Sequence, residues 1–209
     1  MTLIAVLDYG IGNLRSAQKA LEHVGADARL TADHGLIADA AGVVLPGVGA
    51  FGPCMDALGD AGLRDIAYEA ASAAAEGNGR PFLGVCVGMQ MLFDGSDETP
   101  DAQGLGVLPG RSTLLPDSVK RPQMQWNVVD WTTGSRLAEA QPDPCWMYFV
   151  HSFAVVASQD SDVAATCSYG RPDVAAAVER GVLWATQFHP EKSSRNGLAL
   201  LDNFLNACA

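Results

Sequence analysis

Cys86 stands in the run Phe82-Leu83-Gly84-Val85-Cys86-Val87-Gly88-Met89-Gln90, where an apolar, strand-like stretch passes into helix-like sequence through G-x-C-x-G. This is the cysteine version of a nucleophile elbow. Glycines two residues to either side let a strand and a helix cross closely, and the bend pushes the central side chain outward. A thiol at the start of a helix lies beside unpaired N–H groups and the positive end of the helix dipole, which favour the reactive thiolate. The chemistry on offer is attack on a carbonyl carbon, with a covalent intermediate. Such a nucleophile needs a partner that takes its proton and returns it to a leaving group. His189, which follows the apolar run Leu183–Phe188, has the side chain suited to both tasks. Glu191, two residues on, can orient the imidazole by accepting from its other nitrogen. Pro190 disfavours helix at His189, so the pair is expected in extended backbone with both side chains on one side.

A third segment, Leu45-Pro46-Gly47-Val48-Gly49-Ala50-Phe51, follows another apolar run. Glycines around Val48 make a loop able to turn backbone N–H groups toward a ligand. The N–H of Val48, together with that of Val87 just after the cysteine, would suit an oxyanion hole, where losing one donor typically costs 10²–10³ in rate. Each segment alone has a plainer reading: a buried structural cysteine, a surface His-x-Glu, an ordinary βα turn. Their weight comes from standing together in one chain.

The elements that must bring them together are legible in outline. Leu3–Leu7 reads as a strand, residues 13–24 as a helix and residues 42–45 as a strand. Residues 55–58 and 63–76 read as helix, and Phe82–Cys86 as a strand. This alternation of near-continuous apolar strands with helices predicts an α/β fold, a doubly wound, mostly parallel sheet with helices on both faces. After Phe93 the sequence turns rich in Gly, Pro, Asp and Ser, residues 94–125 reading as loop with short strands, and β-like runs follow at 128–131, 146–156, 163–168, 174–178 and 183–188. These predict extra antiparallel strands in the second half, with a helix at 198–206 closing the chain. Ligands on such sheets bind at strand ends, which makes the turns after Leu45, Cys86 and Phe188 edges of one site.

Composition excludes several other classes. The 209 residues are read as a single domain, 1–209, and 48% hydrophobic with 18% charged residues suits a globule that buries a sizeable core. The net charge of −11, with no Lys/Arg cluster, argues against broad nucleic-acid or anionic-membrane surfaces. Five scattered cysteines without C-x-x-C, and four scattered histidines, give neither a disulfide framework nor zinc-ligand spacing. The N-terminal run lacks a basic region and is broken by Asp8, so it reads as a first core strand and the expected location is the cytoplasm. Gly10-Ile11-Gly12 fails the dinucleotide fingerprint because Arg15 fills its last position, and His23 and His34 read as surface residues.

The Gly84–Gln90 segment with His189-Pro190-Glu191 resembles the class I, or triad, glutamine amidotransferases. Within them the chain is most similar to the glutaminase subunits of imidazole glycerol phosphate synthases, of histidine biosynthesis. Six segments carry the narrower likeness: Asp8–Leu14, Pro46–Phe51, Met89 at the cysteine plus three, Met124–Asn127, Tyr148–Phe153 and His189–Ser193. The resemblance implies that Cys86 is the nucleophile, His189 the base and acid, and Glu191 its orienter, with no metal or organic cofactor. It implies glutamine contacts from Gly47, Gly49, Gln90, Glu98, His151, Ser152 and Phe153, Glu98 meeting the α-amino group. His151 is accordingly not assigned to the triad. It further implies that Trp126, Tyr148 and Lys192 meet a separate (β/α)₈ cyclase subunit, in a heterodimer that hands ammonia between active sites. One departure stands out: Gln125 occupies a position where the family usually has glycine. Two rivals remain at this point. One is a glutaminase serving anthranilate or aminodeoxychorismate formation, against which Met89 and Asp8–Leu14 speak; the other is a non-catalytic α/β scaffold.

Overall fold

The computed structural model describes residues 1–171 and 173–209. In chain order the elements are β1 (Leu3–Leu7), α1 (Leu14–His23), β2 (Asp27–Thr31), α2 (His34–Asp39), β3 (Gly42–Gly47), α3 (Phe51–Asp60), α4 (Arg64–Ala75), β4 (Phe82–Cys86) and α5 (Val87–Met91). The second half adds β5 (Gly95–Ser96), β6 (Gly110–Leu114), β7 (Gln123–Trp131), β8 (Cys145–His151), β9 (Phe153–Ala157), β10 (Val163–Cys167), β11 (Val174–Arg180), β12 (Leu183–Thr186) and α6 (Ser194–Ala207).

Nine strands form the main sheet in the order β2-β1-β3-β4-β12-β11-β10-β7-β8. From β2 to β12 all neighbours are parallel; from β12 to β8 all are antiparallel. Strands β1, β3 and β4 are apolar throughout, with Ile4, Val6, Val43, Val44, Phe82 and Leu83 essentially inaccessible, as strands covered on both faces must be. Strand order reverses at β1, and right-handed crossovers on either side of such a reversal put their helices on opposite faces. Accordingly α1 packs with α6, and α3 with α4 and α5, as two separate helix groups. The α4 face Ala67-Ala70-Ala71-Ala74 is buried, its small side chains letting the helix lie close to the sheet.

A second, three-stranded sheet, β5-β6-β9, covers part of the molecule. The run 146–156, expected as one strand, is two: β8 ends the main sheet, and after Ser152 β9 joins the small one. Two elements were not expected from sequence, β2 and α2. The segment Asp27-Ala28-Arg29-Leu30-Thr31 is an edge strand with only Ala28 and Thr31 buried, and α2 is a six-residue helix capped by Asp33. No helix among the described residues is long and apolar enough to cross a membrane.

Register does the positioning. Gly47 of β3 lies opposite Cys86 of β4, and Thr186 of β12 lies opposite Val85. The carboxyl ends of three adjacent parallel strands therefore deliver the 46–49 loop, Cys86 and the 187–191 segment to one edge.

Candidate active site

Cys86 has φ 56° and ψ −110°, a left-handed backbone that a side-chain-bearing residue adopts only where its surroundings enforce it. The enforcement comes from the flanking glycines. A Cβ on Gly88 would sit 2.0 Å from the Leu45 carbonyl oxygen, and one on Gly84 would sit 3.0 Å from the Gly88 oxygen. Any other residue at position 88 would hold α5 away from β3 and relax the bend. The sulfur opens into a cavity of about 320 Å³. As first residue of α5, Val87 carries an N–H that no intrahelical carbonyl reaches.

His189 lines the same cavity and is 1% exposed. Its Nδ1 lies 2.8 Å from Glu191 Oε1, with both side chains buried. Burial opposes charge on the ring, but the nearby Cys86 sulfur and the hydrogen-bonded Glu191 carboxylate outweigh it and raise His189 from 6.5 to about 9. Its Nε2 is buried and meets no partner at hydrogen-bond geometry among the described residues. Cys86, in the same cavity, favours the imidazolium by its charge, while that nitrogen stays uncommitted. The segment is pinned to β8: His189 N–H donates to the Tyr148 carbonyl at 3.0 Å, and Ser193 Oγ bridges the His189 carbonyl and the Tyr148 N–H.

One local expectation is corrected. Pro190, Glu191 and Lys192 form a 3-10 turn, so only His189 is extended. Proline restrains the residue before it, but its own φ suits the first position of a helical turn, and here that second property governs. The turn still folds the carboxylate back under the ring.

Val48, Gly49, Gln90, Glu98, His151, Ser152, Phe153 and Lys192 also line the cavity. Gly47 does not; it ends β3 with Val87 and Gly88 backbone against its Cα, where an added Cβ would be 2.5 Å from Gly88 N. Its contribution is to let the loop lie against the elbow. Glu98 Oε2 accepts from the Phe51 N–H at 2.8 Å, which fixes the carboxylate at the start of α3. His151 is buried with Nδ1 2.9 Å from the Phe153 carbonyl and Nε2 3.0 Å from the Gln123 amide. Burial pushes it down to about 4, so it is a neutral, structurally committed ring and unsuited to proton transfer near neutrality.

Trp126 and Tyr148 do not line the cavity; their rings meet edge to face at 6.0 Å on the β7–β8 hairpin. The same face carries Met124 opposite Val150 and Val128 opposite Trp146, making a ladder of six apolar residues on the sheet's edge hairpin. Met124, Trp126 and Trp146 are 61%, 44% and 45% exposed. Alternation in β7 and β8 would have revealed this ladder in the sequence, where only its central rung, Trp126 with Tyr148, stood out. Gln125 is an exposed residue of β7 with ordinary extended backbone, so a side chain there needs no glycine-like conformation.

Three residues that support the site went unread in the sequence. Gln187, fully buried, donates through Nε2 to Cys86 Sγ at 3.7 Å. Tyr9 donates to the Pro46 carbonyl at 2.5 Å. Burial, and the nearby Cys54 and Cys86, hold the Tyr9 phenol above its ordinary range, so it remains a proton donor. Cys54, likewise raised by burial, donates to the Val48 carbonyl at 3.2 Å. Two buried donors thus hold alternate carbonyls of the 46–49 loop.

A buried thiol forced out at a strained elbow, beside a histidine oriented by a carboxylate, is the apparatus of acyl transfer through a thioester. The family model for glutamine amidotransferase class-I matches residues 5–208. The chain belongs to the class I glutamine amidotransferases. Among the relatives of this class I amidotransferase is the imidazole glycerol phosphate synthase subunit HisH of Synechococcus elongatus, 45% identical, the alignment covering 99% of this chain and 94% of the relative. The HisH subunit of Syntrophotalea carbinolica is 44% identical, with 97% and 98% covered. Of solved structures, PurLQS from Thermotoga maritima superposes with a TM-score of 0.75 at 23% identity, covering 98% of each chain, a likeness of fold.

Proposed function

We propose that this amidotransferase is the glutaminase subunit of an imidazole glycerol phosphate synthase, hydrolysing glutamine to glutamate and ammonia for histidine biosynthesis. The single observation that carries the chemistry is Cys86 on its strained elbow sharing one cavity with the His189–Glu191 pair. The Cys86 thiolate attacks the carboxamide carbon, and the N–H groups of Val48 and Val87 receive the developing oxyanion. His189, held as imidazolium, protonates the departing ammonia, leaving a γ-glutamyl thioester. Water, deprotonated by the now neutral His189, then releases glutamate and restores the thiol. Glu191 keeps the ring oriented throughout.

Glutamine itself fits the remaining lining. Glu98 has a carboxylate oxygen to spare for the substrate ammonium, and Gly49, Gln90, His151, Ser152 and Phe153 frame the rest of the amino-acid end. Gly47 acts through packing on the elbow rather than by contact. The whole chain works as one amidotransferase domain, in the cytoplasm.

The partner is a (β/α)₈ cyclase subunit. Its support is the naming of the relatives as synthase subunits and the apolar ladder beside the cavity. Large exposed aromatic patches of this kind mark protein–protein contact, and Val150 and Lys192 connect the ladder's end to the cavity mouth. Ammonia released at Cys86 would then pass to the partner without dilution in water. The test is glutamine-dependent ammonia release with purified cyclase present. Cys86→Ala should reduce it by at least roughly 10³-fold; an undiminished rate would exclude the thioester route.

A further inference from the structure

Gln187 closes a chain of side-chain amides whose orientation is determined from one end. Gln90 Nε2 lies 3.1 Å from the Phe153 carbonyl and 3.0 Å from Gln187 Oε1. A backbone carbonyl can only accept, so the amide nitrogen of Gln90 must face that way, and its second hydrogen fixes the oxygen of Gln187. The remaining end of Gln187, its NH₂ group, is then directed at Cys86 Sγ, 3.7 Å away. Gln187 is inaccessible to solvent and its backbone N–H is tied to the Ala176 carbonyl at 2.8 Å, so the group has little freedom to turn. Such a fixed donor is worth more to a sulfur that carries charge than to a neutral thiol.

Taking the Cys86 reading above as its basis, we propose that Gln187 is a positioning donor for the nucleophile: its amide N–H stabilises the Cys86 thiolate and holds the sulfur in its attacking rotamer. The imidazole then takes the proton, while the amide supplies a second contact that never titrates. The arrangement also couples the substrate wall to the nucleophile, because Gln90 lines the cavity and sets the amide that meets the sulfur.

The test is the pH dependence of Cys86 alkylation by iodoacetamide, followed on the Cys86-containing peptide by mass spectrometry, alongside glutaminase assays with the cyclase present. Gln187→Glu places an acceptor and negative charge against the sulfur; Gln187→Met keeps the shape and removes the donor. The pH at half-maximal alkylation should rise by about one unit in Gln187→Met and further in Gln187→Glu, with kcat down roughly 10-fold or more and KM little changed. Glutaminase activity in the unsubstituted chain together with unshifted alkylation profiles would overturn this inference alone; an unsubstituted chain that neither hydrolyses glutamine nor alkylates at Cys86 would overturn the reading beneath it. Should either substitution prevent folding, the side-chain amide resonance of Gln187 in the unsubstituted chain decides. It should move with pH and stop moving in Cys86→Ala, and the same pH response in both chains would refute the contact.

Discussion

His189 carries two opposing influences, and their balance makes it testable. Burial alone would keep the ring neutral, yet Cys86 and Glu191 raise it to about 9, so the imidazolium is the resting form at neutrality. In Glu191→Gln the carboxylate's share of that rise disappears. The alkaline limb of the kcat/KM profile should move from near pH 9 to lower pH, and kcat should fall roughly 10²-fold or more as ring orientation loosens. A profile that stays in place would show that Glu191 does not govern the ring. Stability follows the same linkage. A histidine whose folded pKa exceeds its unfolded 6.5 stabilises fully below that value, and the benefit fades as pH rises through about 9. The difference in unfolding temperature between the native chain and Glu191→Gln should therefore shrink across that window. His151 behaves in the reverse sense: held down to about 4, its contribution is present above 6.5 and lost as pH falls toward 4. Thermal melts between those limits should lose much of their slope in His151→Gln. Residue types announced Cys86, His189 and Glu191, since few other roles combine them. Gln187 was silent because a polar residue at the end of an apolar strand has no chemistry of its own; only its neighbours give it one.

Element boundaries decide whether those residues meet. The close crossing of α5 over β3 rests on Gly88, whose missing side chain leaves room for the Leu45 carbonyl. Gly88→Ala should destabilise the chain by about 2–4 kcal/mol and abolish most activity, read by urea denaturation and by the glutaminase assay. Native-like stability in that variant would mean that the crossing is looser than described. The 46–49 loop depends on donors from two other elements, Tyr9 after β1 and Cys54 in α3. Tyr9→Phe removes one buried hydrogen bond, costing about 1–2 kcal/mol in the same measurement. The strands that carry the site were readable because their apolar runs are unbroken. Strand β2 was not, since an edge strand with two buried side chains lacks that signal. The break between β8 and β9 was hidden because His151-Ser152-Phe153 contains neither glycine nor proline, and the change of sheet is dictated by tertiary pairing alone. The turn at Pro190 misled for a related reason: one residue exerts two backbone constraints, and packing by α6 chooses between them. Gly197 of α6 sits directly on the Pro190 carbonyl, where an added Cβ would be 1.9 Å from the oxygen, so the helix packs against the turn itself.

The molecule as a whole divides its labour along the sheet. The parallel half supplies strand ends for chemistry, and the antiparallel half ends in a hairpin whose outer ladder is apolar and exposed. The Tyr148 carbonyl that accepts from His189 N–H lies on that hairpin, so His189 is hydrogen-bonded to a strand that carries the exposed ladder. Trp126→Ala should weaken cyclase binding by about 2 kcal/mol, roughly 30-fold, measured by calorimetric titration, while leaving the melting temperature of the free chain nearly unchanged. Unaltered affinity would move the docking face elsewhere. Covalent capture of the nucleophile is the decisive test of all of this. The chain, with the proposed cyclase present, is treated with a glutamine analogue bearing a diazoketone, and the adduct is located by peptide mass spectrometry. Modification of Cys86 alone, suppressed by excess glutamine and absent in Cys86→Ala, is the expected result. A chain that hydrolyses glutamine while the label settles on another residue, or on none, would contradict the account.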